Sequence, residues 1–195
     1  AAQHSQSLEA WFAHIPGLVV VAPSTPADNH GLLLAALASG DPVVYMEHKE
    51  LWGTPGAVTS GDVVPLGKAR VARAGSDLTI VSWSRQMQAC EQAAEQLAAQ
   101  GVQAELIDLR TIWPWDKDAV LQSVAKTGRL LVVHEAIRVA GFGAEIAATV
   151  AEETGAKVAR LGAPRIPVGY APTLEAEARV SAAQIVDAVQ KLVAP

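Results

Sequence analysis

Residues 78–108 read LTIVSWSRQMQACEQAAEQLAAQGVQAELID. Leu78 to Ser82 is a short, nearly continuous run of apolar and β-branched residues, the pattern of a strand buried on both faces. Met87, Cys90, Ala94 and Leu97 follow at helical spacing, which gathers them on one helix face, and Gly101 closes that helix. Ala104 to Asp108 then returns to a short apolar run. Strand, helix, strand in this order predicts two parallel strands joined by a right-handed crossover.

The same alternation continues outward. Candidate strands Ala69 to Arg73, Leu130 to His134 and Val158 to Leu161 flank the first unit. Asp116 caps a helix carrying Val120, Leu121 and Val124 that stops at Gly128, and another helix runs from about Phe142 to Glu153. A last helix, capped by Ser181, carries Ile185, Val189 and Leu192. The expectation is an α/β fold with an open, doubly wound, mostly parallel sheet of five strands.

Toward the N-terminus, Leu51 to Pro65 loses apolar periodicity and is punctuated by Gly53, Pro55, Gly56, Ser60, Gly61 and Pro65, the composition of an inter-domain linker. Before it, Leu18 to Ala22 and Val43 to Glu47 read as parallel strands, with a helix from Thr25-Pro26 to Gly40 between them. A short amphipathic helix built on Leu8, Trp11, Phe12 and Ile15 follows Ser7, its expected N-cap, and Pro16-Gly17 ends it. Two strands make a very small sheet, so this piece is expected to leave an open edge and uncovered apolar surface.

Bulk composition removes several classes of function. The 195 residues are 50% hydrophobic and 18% charged, too apolar for disorder. A net charge of −5 and a pI near 5.5, with Lys and Arg scattered, argue against nucleic-acid binding. One cysteine, Cys90, cannot form an internal disulfide and sits on an alanine-rich helix face, which predicts a buried apolar role and a reducing compartment. No apolar run is long enough to span a bilayer and the chain opens without a start methionine or a secretion signal, so a soluble, cytoplasmic protein is expected.

Among groups able to do chemistry, His4 lies in a polar stretch, and an imidazole exchanges a proton near neutral pH with little tuning. His14 falls far from it in rotation and reads as a helix-end contact. His30, His48 and His134 have no metal-ligand spacing. His134-Glu135 ends a strand where α/β sheets present groups to ligands, although such a pair also serves simply to anchor the next loop. Gly141-Phe142-Gly143 lacks the third glycine of a dinucleotide fingerprint, and Trp83 to Met87, where a nucleotide loop would follow the first strand, has no glycine; both count against a nicotinamide enzyme. Asp41, after Ser39-Gly40 at a helix exit, could offer oxygen to a cation or be an ordinary polar turn.

Seven ordered motifs together resemble one family: Gln3-His4-Ser5-Gln6, Ala13-His14-Ile15-Pro16-Gly17, Pro65-Leu66-Gly67-Lys68-Ala69, Asp108-Leu109-Arg110-Thr111, Lys126-Thr127-Gly128-Arg129, His134-Glu135-Ala136 and Gly141-Phe142-Gly143-Ala144-Glu145-Ile146. The family is the β subunit of the thiamine-diphosphate-dependent, decarboxylating first component of 2-oxo acid dehydrogenase complexes, and the resemblance extends through Tyr170-Ala171-Pro172 and Leu174-Glu175. It implies that residues 1–60 are the C-terminal half of a pyrimidine-binding domain plus the start of a linker, and residues 61–195 a complete transketolase C-terminal-like domain. It also implies an N-terminally truncated chain, inactive alone, because in the family the glutamate that activates the cofactor lies in the preceding half.

The implied function is oxidative decarboxylation of a 2-oxo acid, with transfer of the acyl unit to the lipoyl group of a dihydrolipoyl acyltransferase. His4 matches the family's active-site histidine, which donates or relays a proton as the lipoyl disulfide opens, and Ser5 and Gln6 shape the pocket wall. The implied cofactor is thiamine diphosphate with magnesium, held largely by the α subunit. In some members a monovalent cation, usually potassium, sits at the turn matching Ala36, Leu37, Ser39 and Asp41, where this chain has serine for a common carboxylate and aspartate for a common asparagine. Implied partners are an α subunit, a second β subunit in a heterotetramer, and the subunit-binding and lipoyl domains of the acyltransferase; nucleic acid and membrane are not among them. Pro114-Trp115-Asp116 resembles branched-chain enzymes and Tyr170-Ala171-Pro172 pyruvate or acetoin enzymes, so the acyl group stays open. The rival expectations are a non-catalytic assembly module, since the C-terminal unit shows no catalytic constellation, and a transketolase-like enzyme, which would need phosphate-binding arginines that are not present near His4.

Overall fold

A computed structural model describes residues 3–194. Its elements, in order, are α1 (Glu9–Ala13), β1 (Val19–Val21), α2 (Pro26–Ala38), β2 (Val43–Tyr45), a single 3-10 turn at Lys49–Leu51, β3 (Arg70–Arg73), β4 (Leu78–Ser82), α3 (Gln86–Ala99), β5 (Ala104–Asp108), β6 (Thr111–Trp113), α4 (Lys117–Thr127), β7 (Arg129–Ile137), α5 (Gly143–Thr154), β8 (Lys157–Ala163), α6 (Pro172–Glu177) and α7 (Ala182–Val193).

The larger sheet has the order β3-β5-β4-β7-β8, parallel throughout except for β3, which runs antiparallel to β5. Every residue of β4 and β5 is buried, including Thr79 and Ser82 of β4 and Glu105 and Asp108 of β5. Strand alternation divides the core in two. Leu78, Ile80, Leu106, Leu131 and Val133 face α3 and α7, whereas Val81, Ile107, Leu130 and Val132 face α4 and α5. Thr79, on the second face, is satisfied by Ser123 (2.6 Å) and Thr127 (2.8 Å) of α4. The expected five-stranded α/β sheet is thus present.

The N-terminal piece differs from expectation in its sheet. Its strands β1 and β2 are parallel, but they do not stand as a pair: β6 joins β1 on the other side, antiparallel, to give the order β2-β1-β6. The chain leaves β5, turns at Arg110 with φ +60°, and enters the small sheet. One core then spans both pieces, because Val20 and Ala22 pack with Val81, Trp83, Ile107, Leu109 and Ile112. On the far side β1 covers Leu32 of α2.

Beyond the 3-10 turn, residues 52–69 form no strand or helix. Part of this segment lies on α2: Val64 N donates to Gly31 O at 3.1 Å, and a Cβ on Gly31 would stand 2.6 Å from Val64 Cγ2. Only glycine permits that approach. No helix among the described residues is long and apolar enough to cross a membrane.

Candidate functional site

His4 lies in a stretch, residues 3–8, with no strand or helix, and is exposed; Ser5 is half-buried and Gln6 exposed. These three share one segment at the start of α1. The helix that follows is only five residues long and its N-cap is Leu8, without a side-chain cap, rather than the expected Ser7. Such a helix has little stability of its own, so its packing places the His4 segment. Ala10, Phe12 and Ala13 pack on the shared core.

Glu9 lies on that same inward face and is 7% exposed. Its Oε1 accepts a hydrogen bond from Trp83 Nε1 at 3.2 Å, while Oε2 is buried with no hydrogen-bond partner. Burial raises the carboxyl above the usual range and the Glu135 charge adds to this, against Glu9's own backbone N–H, the Trp83 bond and His48. Trp83 stacks on His134 with ring centres 5.4 Å apart and meets Phe142 edge-on at 6.4 Å.

His134 is fully buried in β7. Its Nδ1 lies 2.9 Å from Ala136 O, and because a carbonyl only accepts, Nδ1 carries the proton. Burial lowers the ring to about 4, so it is neutral. A Cβ on Gly141 or Gly143 would stand 2.6 Å from ring carbons, and one on Gly162 2.7 Å. The Gly141-Phe142-Gly143 turn therefore admits a histidine, and His134-Glu135 works as a structural anchor. Glu135 itself reaches back to His48 at 2.9 Å.

A charged seam continues between the two pieces. Glu50 meets Arg85 at 2.8 Å and bonds Arg179, which lies 4.0 Å from Glu135. Burial of Glu50 works against its ionisation, but the Arg179 bond and the Arg179 and Arg85 charges outweigh it and hold the carboxyl low. A second seam closes the opposite side. Arg110 Nη1 donates to Asp28 Oδ1 at 3.0 Å and Arg110 also donates to the carbonyls of Lys68 and Ala69. Arg70 Nη2 donates to Asp108 Oδ2 at 3.0 Å, and Ser24 Oγ donates to the same oxygen. Burial, with the Asp28 charge behind it, pushes Asp108 up to about 6 against Ser24 and Arg70.

The turn Ala36 to Asp41 is a separate place, at the exit of α2. Ser39 N donates to Ala36 O at 3.2 Å and Asp41 N to Ser39 Oγ at 3.2 Å, with Leu37 and Asp41 exposed. It offers carbonyl, hydroxyl and carboxylate oxygens of the kind hard cations take. Two clefts of about 270 and 310 Å³ flank the start of α2 at Ser24, Thr25 and Pro26, and His4 lines neither. Among the described residues no three His, Cys, Asp or Glu side chains converge to hold a metal ion.

Of the sequence-expected residues, the structure keeps His4, Ser5 and Gln6 in one segment and Ala36, Leu37, Ser39 and Asp41 in one turn. It adds Glu9, Trp83, Asp28 and Asp108, which sequence reasoning passed over. A signal for Glu9 existed: it precedes Phe12 and Ala13 by three and four positions, which puts a carboxylate on the apolar face of α1.

Two family models match the chain, the pyrimidine-binding domain of transketolase over residues 1–54 and the transketolase C-terminal domain over residues 67–185. Similar curated proteins include the β subunit of acetoin:2,6-dichlorophenolindophenol oxidoreductase of Cupriavidus necator, 45% identical over 98% of this chain and 58% of that one. The pyruvate dehydrogenase E1 component subunit beta of Rhizobium meliloti is 44% identical over 97% of this chain and 43% of its own length. For the 2-oxoisovalerate dehydrogenase subunit beta of Bacillus subtilis the figures are 41%, 98% and 61%. The chain thus spans about half the length of the curated relatives it matches. A solved split-gene transketolase, described as an inactive beta4 tetramer, shares the fold with a TM-score of 0.84 at 24% identity, over 95% of this chain and 61% of that one.

Proposed function

Because the chain belongs to the transketolase family, in the branch formed by the β subunits of 2-oxo acid dehydrogenases, we propose that it contributes one wall of the active site of such an enzyme. The observation that carries this reading is the placement of His4. An exposed imidazole stands in the segment ahead of α1, in a chain that is similar along nearly its whole length to these β subunits. The reaction is decarboxylation of a 2-oxo acid, with the acyl unit passed to a lipoyl group.

His4 delivers a proton to a sulfur of the lipoyl disulfide as it opens, a task for an acid within hydrogen-bond reach. Ser5 and Gln6 border the entry. Thiamine diphosphate, the cofactor of this family, supplies the electron sink for decarboxylation when bound. The described residues do not fit its magnesium-diphosphate end, since no acidic cluster converges, and that end is assigned to an α subunit. A second β subunit and the acyltransferase's binding domain complete the proposed assembly, and a potassium ion is assigned to the oxygens of Ala36, Leu37, Ser39 and Asp41.

The test uses this chain within a β subunit of the relatives' length, reconstituted with an α partner and cofactor. His4→Ala is expected to slow lipoyl acylation by about 10²-fold or more and dye-coupled decarboxylation far less. Equal loss of both, or loss of neither, refutes the role. Replacing potassium by sodium in the same assay lowers activity if the turn holds the ion, and an Asp41→Ala enzyme indifferent to the exchange localises it there; a wild type indifferent to the exchange removes that assignment.

A further inference from the structure

Between His4 and α1 no side chain is fully buried until Glu9. Residues 3–8 have no strand or helix, and α1, at five residues without a side-chain cap, does not hold itself in place. The first buried side chain behind His4 is therefore a carboxyl group. Burying one is costly unless a partner compensates, and the inward face already carries Phe12 and Ala13, so an apolar residue would serve plain packing better.

The partner comes from the other side of the linker. Trp83 Nε1, just beyond the end of β4, donates to Glu9 Oε1 at 3.2 Å. The indole cannot swing, because His134 stacks on one face, Phe142 abuts it edge-on, and His134 is wedged among Gly141, Gly143 and Gly162. A continuous set of buried groups thus runs from the β7 backbone through His134 and Trp83 to Glu9 and the segment bearing His4. Its members are 74 residues apart in the chain at the hydrogen bond itself.

We infer that Glu9 and Trp83 form a clamp that positions His4: the indole of the C-terminal unit holds the first turn of α1, and with it the proton-delivering segment, at a fixed place relative to the large sheet. Glu9 and Trp83 are positioning residues and touch no substrate. The clamp needs an acceptor oxygen at position 9, not a negative charge. Burial already drives the Glu9 carboxyl toward its neutral form, and the groups facing it, Glu135 from β7 and His48 from the loop after β2, oppose each other. A glutamine supplies the same acceptor.

The role in catalysis rests on the functional reading above, whereas the clamp is testable without it. Amide hydrogen exchange at Trp11, His14 and Ile15, whose N–H groups donate to the carbonyls of Leu8, Ala10 and Phe12, is measured in the chain itself for Glu9→Ala, Glu9→Gln and Trp83→Phe. Exchange is expected to speed up about tenfold or more in E9A and W83F, the signature of a local opening, and to stay near wild type in E9Q. The same variants are then assayed in the reconstituted enzyme. E9A and W83F are expected to lose lipoyl acylation by up to about a hundredfold, as misplacing a catalytic group does, with decarboxylation and the KM for the lipoyl domain nearly unchanged. E9Q rescues, and the E9A/W83F double variant is no worse than either single one. Unchanged exchange in E9A and W83F overturns the clamp. So does faster exchange with intact acylation, or an E9Q enzyme as impaired as E9A. A wild-type assembly that acylates no lipoyl domain sinks the functional reading instead, and the exchange pattern still decides the clamp.

Discussion

Asp108 ends a strand whose every residue is buried, and it shares Arg70 with Asp28. Its folded pKa, about 6, lies above the unfolded value near 3.9. The folded chain therefore holds this proton more tightly than the unfolded chain. Asp108 favours folding most below pH 4, and that contribution is lost as pH rises through about 6. Two units correspond to on the order of 3 kcal/mol. Denaturant unfolding of wild type and Asp108→Asn across pH 4 to 7 is expected to show the wild type losing about that much relative to the variant; parallel curves would refute it. Cys90 behaves as its helix position in the sequence indicates: burial pushes the thiol up to about 12, which leaves an inert apolar side chain. Glu9 was harder to read, because a lone carboxylate three residues before Phe12 gains meaning only when Trp83 arrives to meet it.

Elements with a long apolar stripe and a proper cap were legible at both levels. In α7, Ile185, Val186, Val189 and Leu192 are buried, and Ser181 and Gln184 form a reciprocal capping box at its start. Ser181→Ala leaves the Gln184 amide without its acceptor and is expected to cost about 1 kcal/mol, read as a lowered denaturant midpoint with an unchanged slope. A cost near zero would mean that packing on α3 alone holds the helix. Helix α4 likewise starts at Asp116, whose Oδ1 accepts from Ala119 N at 3.3 Å, and ends on a left-handed Gly128. Short elements were not legible. The five residues of α1 cannot announce their own cap, and β6, three residues beyond a left-handed Arg110, becomes a strand only because β1 offers an unpaired edge.

At the scale of the molecule, the two pieces on either side of the linker are joined by shared sheet, shared core and two charged seams. Asp28 and Arg110 illustrate the energetics: both are largely buried and bond at 3.0 Å. Arg110→Ala leaves Asp28 with Arg70 at 3.7 Å and the Thr25 hydroxyl and is expected to cost up to about 3 kcal/mol, since a buried carboxylate loses its nearer arginine. Adding Asp28→Asn to that background is expected to cost little more, so the double-variant cycle shows a coupling of about 0.5–3 kcal/mol. Strictly additive losses in denaturant midpoints would show that the seam joins nothing. The sequence did not reveal this network, because its members Asp28, Arg70 and the Asp108-Leu109-Arg110 turn belong to three separate segments.

Local pattern was enough to establish the α/β class, the five-stranded sheet and most helix ends, and to single out His4 as a group to test. Each of these rests on periodicity, capping or residue chemistry within a few neighbours, which the chain carries without reference to its folded form. The pairing of β6 with β1, the burial of Glu9 beneath Trp83, the glycine niche around His134 and the Asp28–Arg110 seam required the folded molecule. They depend on groups that approach across dozens of residues, where burial makes a hydrogen bond or a charge worth far more than the same residues carry in an unfolded chain.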